Sequence, residues 1–177
     1  SDVYEGFFMP HDNDTGYWWQ GENARLGSLA AAVSLAARLL ETQGIKLLLW
    51  ETYAWHQLNW VLGANPLDIC FLKGAGHHNP PDYGHSKPQH SDLPGGISNG
   101  ITGSDRKGAG IDWFQMPQRT HDAWDKWRWY EQWIPHSAWF MVGIVAIQQE
   151  ASLMQERIPV ENVPTESKPT ENSAVLD

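Results

Sequence analysis

A single cysteine, Cys70, stands in this chain of 177 residues. No disulfide can form within it, and the apolar flanks of D-I-C-F-L mark the thiol as buried and inert. A reducing compartment fits, although one missing disulfide does not exclude secretion. Positive charge is also scarce: 12 Lys plus Arg against 21 Asp plus Glu give a formal net charge of −9. That balance argues against a nucleic-acid backbone as partner and favours neutral or cationic ligands. No apolar run approaches the length of a membrane span, and the opening S-D-V-Y-E-G has no signal-peptide character. Phenylalanine is outnumbered by tryptophan, 5 against 11. A ring with an N–H that wants a partner is an odd choice for a core, whereas flat rings with polar edges suit stacking on sugars.

The chain is long enough for one domain with a real core. Residues 1–20 read as loop, with the turn-rich H-D-N-D-T-G at 11–16. Asp12, Asn13 and Asp14 could hold calcium, but no loop of ligand spacing follows them. From Gly21 a helix is predicted: Leu26, Leu29, Val33, Ala36, Ala37 and Leu40 recur at helical spacing, and the alanines permit close approach of another helix. Asn23 is its candidate N-cap and Gly44 its stop. A second helix, about residues 45–62, ends at Gly63, and its wide apolar face predicts burial on more than one side. A third, about 134–150, tolerates Pro135 in its first turn. Between 67 and 121 periodicity gives way to Gly, Pro, His, Asp and Ser, a length of loop that points to function or disorder. The Pro-rich tail, 156–177, reads as disordered on composition alone. The expected fold class is all-α, but two very apolar helices need more partners than this chain supplies.

The long loop gathers His77, His78, His85 and His90. Their spacing matches no compact zinc motif, which favours structural or solvated polar residues first, hydrogen-bond partners of a sugar second and metal ligands last. P-G-G-I-S-N-G-I-T-G-S-D, 94–105, is too dispersed in glycine for a phosphate loop and lacks its lysine, so its expected job is close backbone approach. No metal and no cofactor are expected. Trp18 and Trp19 precede the first helix, as a lid on it or as a sugar platform. Within D-A-W-D-K-W-R-W-Y-E-Q-W-I-P-H-S-A-W-F, 122–140, five tryptophans and a tyrosine surround Glu131. Aromatic surroundings raise a carboxyl pKa and prepare a general acid; the alternative is a surface Glu beside a helix start.

These residues resemble glycoside hydrolase family 9. Asp122, Trp127, Glu131 and Ser137-Ala138 follow the order and spacing of its C-terminal signature, which runs from an Asp through an aromatic to the catalytic Glu. A-W-H-Q-L-N-W-V-L-G-A-N-P-L-D-I-C-F-L-K-G-A-G-H-H, 54–78, is similar to the family's L-G-x-N-P helix end, glycine turn and double-His loop. G-Y-W-W-Q-G-E-N, 16–23, is similar to its Trp-bearing helix start. The match covers roughly residues 16–147. It implies the C-terminal portion of an (α/α)6 barrel with long active-site loops over residues 1–155, and a tail, 156–177, packed on the rest of the enzyme. It also implies the missing partner, an N-terminal half that supplies the general base, because no D-A-G-D-type motif occurs here. Glu131 then corresponds to the general acid of an inverting reaction, His77 and His78 to the sugar-contacting pair, and Asp122 and Trp127 to the motif positions before the acid.

The departures point to the sugar. Asn79 stands where cellulases of the family carry Arg after the double His. E-Q-W-I-P-H-S resembles the branch of exo-β-D-glucosaminidases, which remove glucosamine from the non-reducing end of chitosan oligosaccharides. A lost arginine and a net charge of −9 both favour a cationic amino sugar. Asp112 and Asp92 are candidates to meet its ammonium, with solvated loop acids as the alternative. Trp133 and Trp139 are bulky enough to close one end of a cleft and favour exo action. The alternatives are an endoglucanase or cellodextrinase of the same family, and a non-catalytic sugar-binding module. An oligosaccharide is the expected ligand, with neither nucleic acid nor membrane as partner. A cytoplasmic location is expected, with any export signal in the N-terminal part.

Overall fold

The computed structural model describes residues 20–83, 93–104, 110–114 and 123–157. Helix dominates them. Three long helices form one layer: α1 (Asn23–Thr42), α2 (Trp50–Leu62) and α4 (Ile134–Arg157), which is met after the single turn α3 (Trp127–Tyr130). A second layer of loops carries two strands, β1 (Thr102–Gly103) and β2 (Ile111–Asp112), paired antiparallel with Thr102 opposite Asp112. The fold is therefore mostly α, and the loop expected at 67–121 holds a small sheet. No helix among the described residues is long and apolar enough to cross a membrane.

Small side chains bring the helices together. α1 packs against both α4 and α2 and buries Gly27, Ala30, Ala31, Ser34 and Ala37 in doing so. A Cβ on Gly27 would sit 2.8 Å from the backbone nitrogen of Phe140, so α1 and α4 touch backbone to backbone there. Gly143 answers from α4, where a Cβ would lie 3.2 Å from the Gly27 carbonyl oxygen. Leu58 and Val61 of α2 complete the seam and lead into an aromatic cluster of the loop layer. There Trp113 meets Phe71 at 5.7 Å and Tyr130 at 5.0 Å, while Phe114 meets Trp129 at 5.8 Å, all inclined as ring quadrupoles prefer.

Helix boundaries differ from the expected ones where packing overrides pattern. α2 starts at Trp50, not near 45, because Leu49 adopts a left-handed backbone (φ 62°) and Ile45, Leu47, Leu48 and Leu49 remain exposed. The apolar run I-K-L-L-L thus looks helical but finds nothing to pack on among the described residues. α4 continues to Arg157, past both the expected helix end at 150 and the expected boundary at 155. Asn23 is the first helical residue and makes no cap; Glu22 precedes it. Carbonyls of the loop layer cover the donors at this end: Gly21, Glu22 and Asn23 donate their backbone N–H groups to Arg128, Ile101 and Asn99. Such donors have no partner within a helix, so the loop layer replaces the cap.

The outer faces are apolar. Leu35 and Leu39 on α1, Trp55 and Leu62 on α2, and Ile134, Met141, Val142 and Val145 on α4 are all exposed. Residues 1–19, with Asp12, Asn13, Asp14, Trp18 and Trp19, lie outside the described residues, as do His85, His90, Asp92, Asp122 and the tail 158–177.

Candidate active site around Glu131

Three extended segments of the loop layer lie side by side. Leu72 bridges Ile97 and Ser98 bridges Gln132, both antiparallel. Backbone hydrogen bonds run across them: Cys70 N–H to the His78 carbonyl at 2.7 Å, Ser98 N–H to Phe71 at 3.3 Å and Asn99 N–H to Glu131 at 2.8 Å. The double-His loop and Glu131 are thus linked through the backbones of the segments between them. Glycine makes this stacking possible. A Cβ on Gly96 would meet the Gln132 side-chain oxygen at 2.4 Å, and one on Gly100 (φ 89°) would meet the Asn23 amide nitrogen at 2.4 Å. Close backbone approach is the role expected of this glycine-rich loop.

Glu131 ends α3 with an extended backbone (φ −61°, ψ 141°), which turns the chain out of the helix. Its side chain is partly exposed, and Oε2 accepts a hydrogen bond from Trp133 Nε1 at 2.7 Å. The rings around it divide by direction. Trp129 and Tyr130 are buried, with Trp129 Nε1 donating to the Asp112 carbonyl at 3.0 Å. Trp127 packs against the core. Trp133 and Trp139 are 43% and 44% exposed. The aromatic surroundings expected of the acid are thus a core beneath it and a tryptophan N–H beside it. Sequence reasoning overlooked Tyr83, which is buried; its phenol is pushed above its usual value by burial first and by the Glu131 charge second.

Asp68 shapes that loop. Its backbone is left-handed (φ 51°), its carboxylate accepts from His77 Nε2 at 3.2 Å, and its carbonyl accepts from His78 Nδ1 at 2.9 Å. A carbonyl can only accept, so His78 carries a proton on Nδ1. Both imidazoles are exposed. Asn79 turns inward: its amide donates to the Cys70 and Ala75 carbonyls at 2.9 and 2.8 Å and accepts from Gly74 N–H at 3.1 Å. It shapes the loop from within. Lys73 pairs with Asp82 on the same loop.

Asp112 is only 2% exposed, and its carboxylate lies 3.9 Å from the Arg128 guanidinium, itself 4.6 Å over the Trp129 ring. Its charge is matched inside the fold. Cys70 is buried, as expected.

Two further buried groups escaped the sequence reading. Glu22 lies beneath the first turn of α1, where burial raises its pKa to about 7 against the pull of Arg25, 3.8 Å away. His136 lies in the first turn of α4, and burial lowers its pKa to about 4. The signal for His136 was its spacing: two residues after Ile134 on a helix start, it faces inward while Ile134 and Pro135 face out. No family model matches the chain, and no curated protein matches it at a significant level.

Proposed function

We propose that this chain is the acid-bearing part of an inverting glycoside hydrolase of family 9, acting as an exo-β-D-glucosaminidase on chitosan oligosaccharides. The observation that carries the reading is Glu131: a partly exposed carboxyl, its main chain held by Asn99, one oxygen held by Trp133, with the double-His loop tied to the same set of backbone-bonded segments. Trp133 N–H can only donate, so a proton on Glu131 resides on the carboxyl oxygen turned away from it or points outward. That is the proton a general acid delivers to the glycosidic oxygen. The general base comes from an N-terminal half, about 6.5–9.5 Å from the acid, with the attacking water between the two groups. The exposed apolar faces of α1, α2 and α4 support such a partner, since patches of this kind mark surfaces that another element covers. His77 and His78 hydrogen-bond the sugar, and Trp133 and Trp139 are its stacking platforms.

The test sets the β-1,4 glucosamine dimer beside cellotetraose and follows monomer release from each. Glucosamine from the first alone supports the amino-sugar reading. Glucose or cellobiose from the second alone replaces it with a cellulase, and silence in both means that the base-bearing half is missing. Replacing Glu131 by Gln is expected to lower kcat on the dimer by about 10²–10⁴-fold, as loss of a general acid does.

A further inference from the structure

Asn99 is fully buried and connects the two ends of α3. Its backbone N–H donates to the Glu131 carbonyl at 2.8 Å, and its side-chain Nδ2 donates to the Trp127 carbonyl at 2.7 Å. One residue therefore clamps the turn from its first residue to the candidate acid. The clamp works in one orientation of the amide. Nδ2 must face the Trp127 carbonyl, which can only accept, and this aims Oδ1 at His136 Nε2, 2.5 Å away. Oδ1 can only accept, so His136 must carry a proton on Nε2. Burial holds the ring neutral, and Nδ1, also buried, has no hydrogen-bond partner among the described residues.

We infer that His136 is a positioning residue for Glu131, acting through Asn99: its Nε2–H locks the Asn99 amide, which fixes the α3 turn and the place from which Glu131 reaches its substrate. The inference rests on the reading of Glu131 as a general acid. Without the lock, the Asn99 amide can turn over and bring Oδ1 against the Trp127 carbonyl, two acceptors that repel. The α3 turn then loosens while the sugar platforms stay in place.

Leaving-group dependence separates positioning from mere structure. The variants His136→Leu, His136→Gln and Glu131→Gln are compared in the intact enzyme on two substrates. The glucosamine dimer needs protonation of its leaving oxygen; a 2,4-dinitrophenyl β-glucosaminide does not. His136→Leu is expected to lose about 10–100-fold in kcat on the dimer, with KM little changed, because small misplacements of a reacting group cost that much. On the dinitrophenyl substrate it should retain most of its rate, and His136→Gln, which keeps a donor at similar reach, should recover the dimer activity. An equal loss on both substrates, or no loss on the dimer, overturns the inference. An undiminished Glu131→Gln, or a wild type silent on the dimer, overturns the reading of Glu131 and the inference with it. Glu131→Gln impaired beside an undiminished His136→Leu overturns the inference alone. Should His136→Leu not fold, the ¹⁵N shifts of His136 in labelled wild type decide. A neutral Nε2–H ring across pH 5.5–8 supports the lock, and an Nδ1–H or charged ring overturns it.

Discussion

Between α1 and α4 the contact is made by the smallest side chains, Gly27, Ala30 and Gly143, and its geometry is set by how closely two backbones approach. Where the loop layer meets the helix starts the buried positions include Asn23, Ser98, Asn99, Thr102, Asp112 and His136, and geometry is set by hydrogen bonds that run in one direction only. The two regions tolerate change differently. A helical seam fails in proportion to volume, since overpacking acts through van der Waals contact. A buried polar network fails by orientation, because one turned amide leaves desolvated groups facing their own kind. The candidate acid stands on the second kind of support, and the helices hold that support in place.

Gly27→Ala should do most to break the helical side of this comparison. The added methyl meets backbone atoms of Trp139 and Phe140, which cannot swing aside as a side chain would. A loss of about 1–3 kcal/mol is expected in urea unfolding, and wild-type stability would mean that the seam is looser than the geometry says.

The buried titrating groups sharpen the polar side. The pKa of Glu22 is raised from 4.5 to about 7, so its neutral form contributes stability that is fully present below pH 4.5 and lost as pH rises through 7. The pKa of His136 is lowered from 6.5 to about 4, so its contribution is present above pH 6.5 and lost as pH falls towards 4. Between pH 4.5 and 6.5 the two slopes oppose each other. Glu22→Gln removes one of them. The unfolding free energy of that variant in urea, relative to wild type, should climb with pH across this window by up to about 1.4 kcal/mol per pH unit. Parallel profiles for the two proteins would mean that Glu22 ionises in the fold as it does in water.

The smallest effect on stability belongs to the outer faces. Leu39→Gln and Leu48→Gln, at exposed positions on α1 and the loop after it, should each stay within about 0.5 kcal/mol of wild type. If the proposed N-terminal half covers these faces, the same changes should weaken its association. A drop in stability of the chain by itself would instead show that these leucines pack on its own undescribed residues.

Much of the helical layer could be read in advance. The spacing of Leu26, Val33 and Ala37, the run of alanines and the stops at Gly44 and Gly63 are local signals, and they placed α1 and the end of α2. The start of α2 was misread because Ile45–Leu49 carries helical residue types, while what decides a helix is whether its face finds a partner. In the site, Glu131 stood out because its neighbours are aromatic. Asp68, Tyr83, Asn99 and His136 did not stand out, since a polar residue in a loop or at a helix start reads as solvated. Only contacts across 37 residues, as between His136 and Asn99, reveal that it is buried.

By itself the sequence determined roughly where the long helices run, that their faces are broadly apolar, and which carboxylate sits among rings. Those properties follow from periodicity and composition, which act over a few neighbouring residues. The tertiary structure alone decided that Trp129 turns inward and Trp133 outward, that Asp112 is matched by Arg128, and that one asparagine clamps the turn before Glu131. Burial and hydrogen-bond direction depend on segments brought together from distant parts of the chain, and no local pattern encodes them.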